Sequence, residues 1–145
     1  MRKHTLIKNI KPDEHTYSVT IGTDMGQFTG EVECRKEDWD HESRYFGFEL
    51  AEIKAEIEYS RAKRKYYDAQ LKALIEFWCD MAQTRTYDQD AFWVKKMREK
   101  VSKIEIEKRH WTEVIKDLKR AYYLKITAFD SLNVKRNRCK EHNND

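Results

Sequence analysis

Helix breakers are nearly missing from this sequence, which has one proline (Pro12) and four glycines in 145 residues. Proline removes a backbone donor and glycine loosens the chain, so their scarcity permits long uninterrupted helices and argues against a loop-rich fold. Cysteine is sparse as well. Cys34, Cys79 and Cys139 are odd in number and widely spaced, which excludes a disulfide framework and points to reduced thiols in a cytosol-like compartment. No apolar run is long enough for secretion or membrane spanning, so a soluble protein without membrane contact is expected. Catalytic signatures are missing too: no glycine-rich phosphate loop, nucleophile elbow, His-Glu-x-x-His or Cys-x-x-Cys occurs. The five histidines (His4, His15, His41, His110, His142) are scattered, and Cys139 with His142 lacks a second ligand pair. No metal, no cofactor and no enzymatic activity are expected.

What is present is charge and aromatic area. Charged residues make up 38% and aromatics 12% of the chain, enough apolar surface for one domain of this length to build a core. The charge is unevenly placed. Residues 1–58 hold 8 Lys/Arg against 13 Asp/Glu, a net of −5, whereas residues 59–145 hold 21 against 13, a net of +8. An acidic first third on a basic body provides two different contact surfaces.

Two apolar stripes set the architecture. The first runs Leu50, Ile53, Ile57, Ser60, Arg64, Tyr67, Leu71, Leu74, Trp78, Met81 in alternating steps of three and four, which places every member on one helical face. The second runs Val94, Met97, Val101, Ile104, Lys108, Trp111, Ile115, Leu118, Tyr122, Lys125, Phe129, Leu132 with the same spacing. Helices over 48–83 and 88–132, joined by a short turn, must bury these stripes on each other as an antiparallel coiled-coil hairpin. At ~1.5 Å per residue they are rods of roughly 50 and 65 Å. Thr86 and Gln89 have the spacing of a capping box at the start of the second helix. Pairing about the turn sets Arg64 opposite Lys108. Three arrangements relieve that repulsion: outward snorkelling, neutralisation by Asp68 and Glu105, or a seam opened for an acidic partner.

Ahead of the helices the period changes to two. Tyr17, Val19 and Ile21 alternate with Ser18 and Thr20; after Gly22-Thr23-Asp24-Met25-Gly26, the residues Phe28, Gly30, Val32 and Cys34 alternate with Thr29, Glu31 and Glu33. This predicts a β-hairpin over 16–34 whose apolar face lies on the helices. Residues 4–11 carry only a weak strand signal. Residues 35–47 form an acidic connector whose Trp39, Tyr45 and Phe46, with Phe48 just beyond it, plug the junction, and Gly47 marks a change of direction. The polar, basic tail 133–145 is expected to be disordered. The fold class is therefore α+β, mainly α, with a single domain over 1–132.

Three groups of residues are candidates for binding. The acidic connector carries Glu37, Asp38, Asp40 and Glu42. The run Arg61-Ala62-Lys63-Arg64-Lys65-Tyr66-Tyr67, with Lys108 across the seam, joins cations to aromatic rings, the chemistry that meets phosphate and bases. A second stripe on the first helix (Tyr59, Ala62, Tyr66, Ala69, Ala73, Phe77) offers a face for the β-hairpin, for a second copy in a homodimer, or for another partner.

The segment Tyr17–Cys34, followed by the acidic connector, Phe48-Glu49-Leu50-Ala51-Glu52-Ile53-Lys54-Ala55 and Gln70-Leu71-Lys72-Ala73-Leu74, resembles small accessory proteins of phages and prophages of Gram-positive hosts. Some small phage proteins of this kind are anti-CRISPR inhibitors. The resemblance implies a cytoplasmic protein of the bacterial host. It also implies a non-enzymatic role: binding a ribonucleoprotein such as a guide-loaded type II CRISPR nuclease, with acidic surfaces mimicking DNA or basic ones holding guide RNA. It transfers no individual residue. The alternatives are a coiled-coil assembly protein and a DNA- or RNA-binding accessory protein.

Overall fold

The computed structural model describes residues 5–83 and 90–143. In chain order it contains β1 (Thr5–Lys11), a 3-10 turn (Pro12–Glu14), β2 (Thr16–Thr23), β3 (Gly26–Glu33), a second 3-10 turn (Lys36–His41), α1 (Arg44–Ala82) and α2 (Asp90–Asn143). This is the expected mainly helical α+β fold, an N-terminal antiparallel sheet on two long helices. The chain divides into two compact units, residues 1–59 with 116–145, and residues 60–115. Both helices contribute residues to each unit.

In the first unit the sheet order is β1-β2-β3, with both pairs antiparallel. The expected hairpin is β2 and β3, joined at Asp24-Met25. There the Thr23 hydroxyl donates to the Gly26 carbonyl at 2.7 Å and accepts the Met25 N–H at 3.1 Å. The strand β1 is the addition. Its register sets Leu6 against Ile21, Lys8 against Val19 and Ile10 against Tyr17, so a lysine stands on the otherwise apolar face. That interruption weakened the period-two signal; the Lys8 ammonium sits 5.6 Å from the centre of the Phe48 ring, where the cation is tolerated.

The inner face of the sheet (Tyr17, Val19, Ile21, Val32) is buried against the start of α1. Small residues at Gly47, Ala51 and Ala55 fall one turn apart and let the strands approach the helix backbone. The contact is closest at Gly30, where an added methyl would fall on the Ala51 carbonyl oxygen and the Ala55 amide nitrogen. Leu50, Ile53 and Ile57 occupy the next face of α1 and are also buried. They belong to the seam with α2, where Phe46 stacks on Phe129 with ring centres 4.4 Å apart and Glu49 pairs with Lys125 at 2.9 Å.

The helix starts at Arg44, four residues earlier than the expected 48. Ser43 is the reason: its hydroxyl accepts the Phe46 N–H at 3.3 Å and its carbonyl accepts the Gly47 N–H at 2.9 Å, an N-cap arrangement. Gly47 therefore lies inside α1, where its bare Cα faces the Tyr17 ring, and it does not redirect the chain. Connector 35–47 is correspondingly a 3-10 turn followed by the first turn of α1. Of its aromatic residues, Tyr45 is 75% exposed and fills no junction, and Trp39 is 43% exposed, covered only on the face that stacks on His15.

In the second unit Met97, Trp111 and Ile115 of α2 are buried, and Tyr67, Leu71, Leu74 and Trp78 of α1 are half-buried. Trp78 and Trp93 meet edge to face with centres 6.1 Å apart, and Asp68 pairs with Lys108 at 2.7 Å. As the α1 number rises its α2 partner number falls, which is the antiparallel register. The turn 84–88 and its capping box lie outside the described residues. At the other end α2 continues through Asn143 where a disordered tail from 133 was expected. That stretch has no proline or glycine, and its Lys and Arg residues suit the negative end of the helix dipole.

Candidate functional site

The acidic connector is tied into the first unit by two networks. Arg35 donates through Nε to Asp38 at 2.9 Å, and its guanidinium reaches Asp130 of α2 at 2.7 Å. Glu42 meets His15 Nδ1 at 2.9 Å and accepts from the Tyr17 hydroxyl. The His15 ring stacks on Trp39 at 4.0 Å, and the Trp39 indole N–H donates to the Cys34 carbonyl at 3.2 Å. Thus Asp38 and Glu42, two of the four candidate carboxylates, already serve the fold. Glu37 and Asp40 remain exposed.

These networks titrate as their surroundings dictate. Burial pushes the Glu42 carboxyl up, but hydrogen bonds from His15 and Tyr17 outweigh it and hold Glu42 below the usual carboxylate range. Burial, reinforced by Glu42, drives the Tyr17 phenol well above its ordinary value. Burial and then Glu42 and Asp38 raise the Cys34 thiol, which leaves it a poor nucleophile.

Beside them opens a cleft of about 250 Å³ between the sheet, the connector and the facing parts of α1 and α2. Its walls are aromatic and aliphatic, and its rim carries the Arg35 and Glu42 networks. No motif could have revealed it, because its residues come from positions spread between 17 and 130.

The basic run lies at the beginning of the second unit and is not one patch. Arg61, Arg64 and Lys65 fall on one side of α1 with Lys72, and Asp68 stands among them. Lys108, and then Arg64 and Lys72, hold the Asp68 carboxyl below its usual range. Lys63 falls on another side with Tyr66 and Gln70; Gln70 donates to the Tyr66 hydroxyl at 2.6 Å. Arg61, Arg64 and Lys65 are exposed and Lys63 is half-buried. The clash expected between Arg64 and Lys108 is resolved by Asp68, so Lys108 is a partnered cation.

The second stripe divides between the units. Tyr59 is 4% exposed, lies 5.7 Å from Phe28 and donates to Asp24 at 2.6 Å; the hairpin covers it. Tyr66 at 47% and Phe77 at 53% remain open. Among the described residues no group of His, Cys, Asp and Glu can hold a metal ion, and no helix is long and apolar enough to cross a membrane. Neither a protein-family model, nor a curated protein, nor a solved structure matches this chain.

Proposed function

We propose that this chain acts by stoichiometric binding and has no catalytic chemistry of its own. Its target on this reading is a nucleic-acid-handling defence complex of a bacterial host, as for a phage-encoded inhibitor of a guide-loaded type II CRISPR nuclease. The observation that supports this reading is the α1 segment 61–67, where the exposed Arg61, Arg64 and Lys65 lie on one side and Lys63 with the exposed Tyr66 on another, the Tyr66 ring meeting that of the half-buried Tyr67 edge to face at 5.3 Å. Exposed cations near one open aromatic ring suit a strand of RNA crossing the helix, the guanidinium and ammonium groups taking phosphates and Tyr66 taking a base. The DNA-mimic version is weaker, because Asp38 and Glu42 are spent on Arg35, His15 and Tyr17.

Co-elution of the chain with a guide-loaded nuclease on size-exclusion chromatography tests this. The wild type is expected to elute with the complex, and the Arg61→Glu/Arg64→Glu/Lys65→Glu variant to elute alone with unchanged circular dichroism. Equal co-elution of both would overturn the basic-surface reading.

A specific observation also favours an assembly role. Tyr66, Ile75, Phe77, Phe92 and Ile106 are exposed in the second unit, more apolar surface than a two-helix hairpin needs to show. Light scattering on the wild type and on Tyr66→Glu/Phe77→Glu decides between the two. A wild-type dimer and a folded monomeric variant would favour assembly; monomers in both cases would remove it.

A further inference from the structure

We infer that the cleft of the first unit is a receptor for an arginine side chain presented by a partner protein. Its volume of about 250 Å³ falls below the roughly 300–1,000 Å³ of pockets that hold cofactors and drug-sized ligands. One long side chain is the occupant that fits. The walls are Tyr17, Phe46, Tyr122 and Phe129, with aliphatic filling from Val32 and Leu50. Phe46 and Phe129 stack on each other, 4.4 Å apart and at 11°, so the pair turns ring edges or one outer face to the cleft, an apolar wall along which a methylene stem can lie with its planar guanidinium.

Charge selects the sign of the occupant. Glu33, Asp38, Glu42 and Asp130 line the cleft against one cation, Arg35. Arg35 is shared between Asp38 and Asp130, so that trio keeps one excess negative charge, and Glu33 and Glu42 add two more. Arg44 acts on Glu42 from just outside, which still leaves the site anionic. An aromatic wall under an anionic rim attracts a cation, and a flat, weakly hydrated guanidinium is better suited to it than an ammonium. The chain supplies its own precedents within this unit: Asp38 and Asp130 already grip a guanidinium, and the Lys54 ammonium lies 5.6 Å from the centre of the Tyr122 ring. This inference concerns a different surface from Arg61–Lys65 and stands whether or not the target is a nuclease.

The probe is N-acetyl-arginine methylamide, titrated into the ¹⁵N-labelled full chain and followed by amide chemical shifts. Saturable millimolar shifts are expected at Cys34, Gly47 and Phe129. The citrulline analogue, equal in shape but neutral, should bind at least about fivefold more weakly, and the leucine analogue weaker still. Asp130→Asn and Glu33→Gln, both at exposed or half-exposed positions, should each weaken arginine severalfold while the amide pattern of the sheet is retained. Three results overturn the inference: no shift at the cleft amides, equal binding of citrulline or leucine, or arginine binding untouched by both substitutions. Tighter binding of the lysine analogue would overturn the choice of guanidinium.

Discussion

Gly30 is where a single hydrogen decides whether sheet and helix can meet. Its Cα faces the backbone of α1 at Ala51 and Ala55, with no flexible side chain to move aside. Gly30→Ala should therefore destabilise the first unit by about 3 kcal/mol, at the severe end of overpacking, read from the urea midpoint. The glycine was visible in the sequence as one member of an alternating strand, but its close approach to the helix backbone at Ala51 and Ala55 was not. Glu42 works in the opposite sense, as a group assembled from remote parts. Its carboxyl is depressed in the folded state, so its contribution to stability is complete above the ordinary carboxylate range. The contribution is lost as pH falls through the folded value. Urea midpoints measured from neutral pH to about pH 3 should fall less steeply for Glu42→Gln than for the wild type. Parallel curves would mean that the His15 and Tyr17 contacts contribute nothing to folding.

At the scale of elements, the seam was the most legible feature because its spacing is a direct consequence of helical geometry. Nine of the ten stripe residues of α1 are buried or half-buried; Arg64 is the exposed exception. The same register makes a sharp contrast on α2, where Ile115 is 4% exposed and Ile106 is 59% exposed. Ile115→Ala should cost about 2–4 kcal/mol through the cavity it leaves, and Ile106→Ala less than about 0.5 kcal/mol. Similar losses at the two sites, measured by thermal or urea unfolding, would show the seam to be wrongly placed. Boundaries were less legible than faces. The Ser43 cap is present in the sequence but is masked by Gly47, which reads as a break although glycine in a helix also serves where another residue must come close. The polarity of 133–143 suggested disorder, yet polarity without proline or glycine does not end a helix. Strand β1 was obscured by Lys8 on its inner face.

For the whole molecule, what the sequence spread out as a charge gradient the fold partly consumes. The acidic connector supplies Asp38 and Glu42 to internal networks, and the basic body gives up Lys108 to Asp68 and Lys125 to Glu49. The candidate surfaces that remain are smaller than the composition implied: an exposed basic and aromatic stretch on α1, and an anionic aromatic cleft that exists only once strands, connector and both helices have come together. Such a cleft has no signature in any local stretch of sequence, because its walls are separated along the chain by most of its length. The measurement that bears most directly on the proposed function is target-DNA cleavage by a guide-loaded type II nuclease, titrated with this protein. Stoichiometric binding predicts that cleavage falls in proportion to added protein and ends near equivalence with the nuclease. Undiminished cleavage in clear excess would contradict the account, as would complete loss at a small fraction of equivalence, which would require turnover.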